Sequence, residues 1–329
     1  MRVIQMSRFG GPEVLETVER EMPVPGAGEV LVRVRAAGVN LSDTLMRQDR
    51  YAMTPPLPAV LGTEVAGDVA GVGEGVTGWR IGARVAAPLF AAGAMFGGYA
   101  EYAVIDARYV TAIPEDISYE VANALMVQGL TALLLTEQVS PAGKSVLVSA
   151  AAGGVGSQLV QLARAAGARQ VIAAASSDEK LALTTSLGAD AGVNYATPAW
   201  VERVRAVTGG AGPDIIYESV GGAVTMQALE ALAPGGNLVI YGALNIQQFQ
   251  LGVPELLGLI FKNQSLTGFA TTPLLSPERV RSGLERLFGL VRQGTLRVTV
   301  GGTWPLARAA DAHRALEGRG TTGKLVLVA

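Results

Sequence analysis

The spacing of hydrophobic positions divides the chain into two regions. Up to about residue 120 the pattern is one of alternation. Val30, Val32 and Val34 interleave with Glu29, Leu31, Arg33 and Arg35, which predicts a half-buried strand over 29–36. A second β-type run, 62–72, is punctuated by glycines, as expected for bulges or sharp bends in a partly closed sheet. Arg84–Ala87 and Tyr99–Val104 continue the pattern, and Pro55-Pro56-Leu57-Pro58 reads as a stiff connecting loop.

From Tyr119 the period becomes helical. Tyr119 to Glu137 reads as one helix, entered from Ser118 as N-cap with Glu120 in the first turn. Strands over 145–149, 170–175, 191–193, 214–218 and 237–241 then alternate with helices over 155–166, 178–187, 198–207 and 222–232. Leu266–Phe269 predicts a further strand, Pro277–Gln293 a helix and Lys324–Val328 a closing strand. Strands spaced by helices imply a parallel sheet with right-handed crossovers. The expected organisation is α/β, with a doubly wound parallel-sheet domain, 123–269, inserted in a discontinuous β-rich domain, 1–122 and 270–329. A ligand is expected at the carboxyl ends of the parallel strands, in the crevice between the domains.

The sharpest local feature is Ser145–Gly167: a β-branched run, a small-residue turn from Ala150 to Gly156, then Leu159, Val160, Leu162 and Ala163 at helical spacing. Strand, glycine turn and helix together make a pyrophosphate site, because backbone N–H groups can approach phosphate and the helix N-terminus supplies positive potential. The turn is Ala151-x-Gly153-x-x-Gly156 rather than a strict G-x-G-x-x-G, and the alanine asks for a slightly wider turn. The alternative reading is a plain structural turn.

Composition narrows the chemistry. The chain has 329 residues, 49% hydrophobic and 16% charged, with 26 basic and 28 acidic side chains. That is globular and near neutral, with no basic run to suggest a nucleic-acid partner. There is no cysteine and one histidine, which excludes disulfides, thiolate-bound zinc, iron–sulfur centres and multi-histidine metal sites. No apolar run reaches the length of a membrane span and the first residues do not read as a signal peptide, so a soluble, cytoplasmic protein is expected. His313 lies in a terminal helix and is expected at the surface. Asp43 and Arg47, four apart, are expected to pair along one helix. Asp178 is expected to cap the helix that follows it.

Several motifs in order carry a resemblance: Ala37-Gly38-Val39-Asn40-x-x-Asp43, Leu61-Gly62-Thr63-Glu64-x-Ala66-Gly67, Gly97-Gly98-Tyr99-Ala100-Glu101-Tyr102, Ala152-Gly153-Gly154-Val155-Gly156, Leu187-Gly188-Ala189-Asp190 and Thr322-Gly323-Lys324. Over nearly its whole length the chain resembles the zinc-free medium-chain dehydrogenase/reductases, in particular the NADPH:quinone oxidoreductases that include zeta-crystallin. The resemblance implies a Rossmann domain inserted in a GroES-like catalytic domain. Zinc-using relatives carry Gly-His-Glu where this chain has Gly62-Thr63-Glu64.

No acid stands at the end of the second parallel strand, which runs into Ser176-Ser177; with Lys180 nearby, a 2′-phosphate is favoured and the expected cofactor is NADPH. The resemblance adds Tyr195 against that phosphate, and Thr131, Ser219, Gly242, Ala243 and Phe269 around the nicotinamide half. Lys324 matches a further cofactor contact, with a strand-edge cation as the alternative. Without zinc, charge developing on a substrate oxygen must be met by hydrogen-bond donors. The candidates are Asn40, Tyr51 and Gln128, the last standing where many members have lysine; Leu45 replaces a second tyrosine common in bacterial members. The implied activity is hydride transfer to a quinone or similar conjugated carbonyl. Reduction of an enal, enone or enoyl C=C bond is the alternative, and a non-enzymatic dinucleotide-binding protein is a third reading. The resemblance also implies a homodimer formed through the edge at 250–269.

Overall fold

The chain opens with an antiparallel pair, β1 (Arg2–Met6) and β2 (Glu16–Glu19). The long strand β3 (Glu29–Val39) follows, then helix α1 (Leu41–Arg47) and the short strand β4 (Ala59–Val60), which returns to pair with β1. β5 (Val65–Val72), β6 (Arg84–Ala87), β7 (Tyr102–Asp106) and β8 (Thr111–Ala112) extend the sheet on β3. This is a computed structural model, and it describes residues 1–242, 245 and 248–329. The alternation at Val30, Val32 and Val34 places those side chains in a buried core with Val65, Val85, Leu61 and Met46. Removing each such side chain from water contributes roughly 1.5–3 kcal/mol.

The predicted helix over 119–137 is interrupted. α2 (Tyr119–Ala124) is capped by Ser118, whose hydroxyl accepts from the Val121 N–H at 3.2 Å. A π-helical turn, Leu125–Gly129, follows, and then α3 (Leu130–Gln138). In an α-helix, residues five apart point about 140° apart. The wider π turn rotates Asn123 and Gln128 towards one side, where Asn123 reaches the Ala36 and Glu64 carbonyls and Gln128 reaches Asn40.

The second unit carries the parallel sheet: β9 (Ser145–Val148), α4 (Gly154–Ala165), β10 (Gln170–Ala175), α5 (Asp178–Ser186), β11 (Ala191–Asn194), α6 (Trp200–Val207), β12 (Ile215–Glu218), α7 (Ala223–Ala231), β13 (Asn237–Ile240), α8 (Val253–Lys262) and β14 (Ser265–Gly268). The strand order is β11-β10-β9-β12-β13-β14, every pair parallel. This is the doubly wound Rossmann order, whose switch point lies between β9 and β12. Its core is Leu147, Ile172, Ile216 and Leu238 from the strands against Trp200, Val204 and Ala228 from the helices. No buried residue comes from α8: Val253, Ile260 and Phe261 are 68%, 66% and 80% exposed.

The chain then returns to the first unit through α9 (Pro277–Arg292), β15 (Val300–Pro305), α10 (Ala309–Glu317) and β16 (Lys324–Val328). β16 lies between β15 and β3, with Leu325 opposite Val39 and Val328 opposite Ala36. The units are Met1–Leu130 with Thr272–Gly294 and Val298–Ala329, and Thr131–Thr271 with Thr295–Arg297. In the first unit Asn123 ties α2 to β3, its amide donating to the Ala36 carbonyl at 3.4 Å. Residues 295–297 join the second unit because the Gln161 amide brackets Arg297, donating to its carbonyl at 2.9 Å and accepting its N–H at 2.8 Å. No helix among the described residues is long and apolar enough to cross a membrane.

Candidate active site and dinucleotide site

In the second unit the turn after β9 is held by its own backbone. Ala150 adopts φ +45°, and its carbonyl accepts the Gly153 N–H at 2.8 Å. Gly153 is the N-cap of α4 and offers no side chain, so the first amides of the helix have no side-chain partner at the cap. A Cβ on Gly156 would lie 2.4 Å from the Ala150 oxygen and 2.7 Å from the Ala151 Cα. Glycine there lets the helix approach the strand, and the exposed amides and helix dipole can take a pyrophosphate.

The end of β10 differs from the sequence expectation in one respect. Ser177, not Asp178, is the cap: its hydroxyl accepts the Lys180 N–H at 3.4 Å, leaving Asp178 as the first helical residue. The Asp178 carboxylate accepts instead from the Asn194 amide at 3.3 Å, beside β11. Lys180 Nζ donates to Ser176 Oγ at 3.3 Å, and Tyr195, half-buried, follows with its N–H on the Ala175 carbonyl at 3.0 Å. Hydroxyls and an ammonium therefore stand at the strand end, with the Asp178 carboxylate turned to the Asn194 amide beside them.

At the switch point the Ser219 N–H donates to Ser149 Oγ at 2.9 Å. A Cβ on Gly242 would sit 2.6 Å from the Ser219 Cβ, so glycine is needed there. Ala243 lies outside the described residues. Thr131 is buried and its hydroxyl meets that of Thr271 at 2.8 Å, while Phe269 is half-buried with its N–H on the Ile240 carbonyl at 2.9 Å. Glu218, absent from the sequence candidates, shapes this loop. Its buried Oε1 accepts from the Val220 N–H at 2.6 Å, the Gly221 N–H at 2.8 Å and the Thr225 hydroxyl at 3.1 Å.

The first unit holds a buried polar cluster built on Asn40, at the start of α1. Lys324 Nζ, from β16, donates to Glu64 Oε1 at 2.5 Å and to Asn40 Oδ1 at 2.7 Å. Asn40 Nδ2 donates to the Glu64 carboxylate at 2.9 and 3.0 Å and to Thr63 Oγ1 at 3.2 Å. A cation on one side and an anion on the other fix which end of the amide is oxygen. Gln128 must then present nitrogen, and Nε2 donates to Asn40 Oδ1 at 2.6 Å. Both Asn40 amide hydrogens are engaged within the cluster. Gln128 keeps its second amide hydrogen, and among the described residues its buried Oε1 has no partner. Tyr51 is 37% exposed, its hydroxyl pushed up by burial and by Asp43.

Residues 26–115 match the family described as "Alcohol dehydrogenase GroES-like domain", and residues 154–288 the one described as "Zinc-binding dehydrogenase". The chain is 38% identical to a quinone oxidoreductase of Pseudomonas aeruginosa, covering 99% of this chain and 98% of that one. The chain belongs to the quinone oxidoreductase family of medium-chain dehydrogenase/reductases. It is also 36% identical to a 2-haloacrylate reductase of a Burkholderia species, over 97% of this chain and 96% of that one. A structure of the Escherichia coli quinone oxidoreductase complexed with NADPH superposes with a TM-score of 0.91 at 33% identity, covering 100% of both chains.

Three expectations change within this family fold. Lys324 is buried in the first unit's cluster, its ammonium committed to Glu64 and Asn40. Asp43 and Arg47 do not pair with each other: Asp43 Oδ2 accepts the Asn40 N–H at 2.7 Å, and Arg47 forms a salt bridge with Glu317. His313 is fully buried rather than at the surface, between Arg47 and Tyr99. Burial and the Arg47 charge push its imidazole down to about 3. Burial and neighbouring Glu64 push the Asp43 carboxyl up to about 7. Among the described residues no group of three or more His, Cys, Asp or Glu side chains is placed to hold a metal ion.

Proposed function

We propose that the protein is an NADPH-dependent reductase that transfers hydride to a quinone or a similar conjugated carbonyl. The observation that carries this reading is the inventory of donors in the first unit. Thr63 occupies the position of the zinc-using relatives' histidine, the Glu64 charge is met by Lys324, and among the described residues the two candidates Gln128 and Tyr51 offer neutral donors, the second Nε2–H and the phenol hydroxyl. Neutral donors can meet partial negative charge on a conjugated oxygen as electrons arrive. Asn40 then acts through Gln128, holding its amide, and does not itself donate to substrate. Lys324 serves as the counter-charge of Glu64.

NADPH fits the residues of the second unit. Gly153, Gly154, Val155 and Gly156 would hold its pyrophosphate, Ser176, Ser177, Lys180 and Tyr195 its 2′-phosphate, and Thr131, Ser219, Gly242 and Phe269 its nicotinamide half. The close helix–strand approach that Gly156 permits, and the hydroxyls and ammonium of Ser176, Ser177 and Lys180 at the β10 end, support this assignment. When bound, NADPH supplies the hydride; the chain's own residues bind, orient and polarise.

A second reading is reduction of an electron-poor C=C bond, favoured by the full-length similarity to a 2-haloacrylate reductase. Steady-state NADPH oxidation with a quinone, an alkenal, a 2-haloacrylate and a crotonyl thioester separates the two. Turnover of the quinone is expected; turnover of the alkenes alone would move the assignment to the second reading. NADPH binding with no turnover of any of them would leave a binding protein.

The same proposal includes a homodimer. In support, β14 is the edge strand of the parallel sheet and α8 presents Val253, Leu256, Leu257, Ile260 and Phe261 to solvent. An exposed apolar helix face and, among the described residues, an edge strand with no further partner are surfaces that association would cover.

A further inference from the structure

A chain of hydrogen bonds runs through the first unit from α10 to Asn40. At its outer end Arg47, fully buried, donates from Nε to the Gly10 carbonyl at 3.0 Å and pairs with Glu317, which also accepts from Gln48 Nε2 at 2.7 Å. Arg47 Nη1 lies 3.1 Å from His313 Nδ1. A guanidinium can only donate, so Nδ1 must be the unprotonated nitrogen of the imidazole. The remaining proton sits on Nε2, which lies 2.9 Å from the Tyr99 hydroxyl. With that oxygen accepting from His313, the Tyr99 O–H is directed at Asp43 Oδ2, 3.3 Å away. Asp43 Oδ2 also accepts the Asn40 backbone N–H at 2.7 Å.

The chain therefore has one direction, set at its start by a permanent cation. The fold provides for it: Gly62, at φ +94°, is where a Cβ would strike the Tyr99 ring at 2.5 Å. The Tyr99 and His313 rings meet edge to face at 5.7 Å.

We infer that His313 is a positioning residue, locked by Arg47 as its Nε2–H tautomer, and that with Tyr99 and Asp43 it fixes the Asn40 backbone and, through the Asn40 amide, the donor Gln128. Only the kinetic part of this inference rests on the reductase reading. The groups facing the imidazole are Arg47 and Tyr99, with Glu317 and Asp43 one step further, and none of them offers it an acceptor at Nδ1.

His313 is the chain's one histidine, so histidine labelled with nitrogen-15 gives a single imidazole signal. NMR of the native protein is expected to show a proton on Nε2, none on Nδ1, and no titration between about pH 5 and 8. A proton on Nδ1, or titration in that range, overturns the inference, and neither measurement needs turnover. The functional arm compares two amides. In His313→Gln the side-chain nitrogen reaches the place of Nε2; in His313→Asn it reaches that of Nδ1. The Gln variant is expected to keep near-native kcat, whereas the Asn variant loses about ten-fold or more in kcat at unchanged KM for NADPH. Exchange of the Asn40 amide hydrogen should quicken about ten-fold in the Asn variant alone, which reads positioning without any substrate. Equal behaviour of the two variants in exchange would reduce His313 to a packing residue and overturn the proposal. Failure of the native chain to reduce any acceptor would instead overturn the reductase reading and leave the tautomer and exchange results to decide this one.

Discussion

Lys324→Met keeps most of the side chain's length and apolar stem and removes the ammonium. In the native unit that ammonium lies 2.5 Å from Glu64 Oε1, with the two side chains 1% and 0% exposed. Removing one partner of a buried pair costs about 3–5 kcal/mol, because the remaining charge has no counter-ion. Glu64 keeps the Asn40 amide at 2.9 and 3.0 Å and the Thr63 hydroxyl at 2.5 Å, and these bonds to a charged acceptor hold the loss to about 3 kcal/mol. For a unit of this size that is a fall in Tm of roughly 6–12 °C. Scanning calorimetry of Lys324→Met, Glu64→Gln and the double variant gives the coupling. The double variant should be more stable than the sum of the single losses by about 2 kcal/mol. NADPH affinity should be unchanged, since Lys324 belongs to the first unit's cluster. Additive losses would refute the ion-pair argument. Weakened NADPH binding at unchanged Tm would return Lys324 to the role of a cofactor contact.

Gly156→Ala places a methyl 2.4 Å from the Ala150 oxygen and should weaken NADPH binding about ten-fold or more in a fluorescence titration. Ser176→Asp puts a carboxylate at the end of β10, and like-charge repulsion of about 3 kcal/mol should move the ratio of kcat/KM values towards NADH by roughly a hundred-fold. Gln128→Leu removes a donor and should lower kcat by about a hundred-fold in the quinone assay. The Asp43 carboxyl, pushed up to about 7 by burial and Glu64, holds a proton in the native state that the unfolded chain releases near pH 4. Native stability should therefore fall as pH rises from about 4 to 7, on the order of 4 kcal/mol, and urea unfolding of Asp43→Asn should show a flatter profile. If the proposed homodimer holds, sedimentation should give a dimer for the parent chain and a monomer for Ile260→Asp.

The parallel sheet was legible because its signals are local. Each strand is a short apolar run and each crossover a helical period, so observed ends lie within two residues of the expected ones from Ser145 to Gly268, with α8 the element left unread. The glycine turn was legible for the same reason. The first unit's cluster was not, because its parts come from the start of α1, the Gly62–Glu64 segment, the π turn and β16, and nothing in their spacing joins them. The interrupted helix reads as continuous, since one re-phased turn leaves the apolar pattern almost unchanged. His313 did carry a signal: Ala309, Ala312, His313 and Leu316 recur at i, i+3, i+4 and i+7, which puts the histidine on the inward face of α10. A titratable side chain in a terminal helix usually faces solvent, and here the helical period outweighs that tendency. Arg47 and Asp43 misled in the same way, since a charged pair at helical spacing usually faces water.

The pairing of β16 with β3 has a consequence for biosynthesis. Asn40 and Glu64 emerge early, while their cation arrives with residue 324, after about 260 further residues have been translated. At roughly 5–20 residues per second the acid waits between about 13 and 50 seconds for its partner. The parallel sheet has all six strands by Gly268 and closes through sequence-local crossovers. The inserted unit can thus consolidate on the ribosome while the surrounding unit remains an open, hydrated half-sheet. Its buried charges are sealed only when the last strand slides between two others already made.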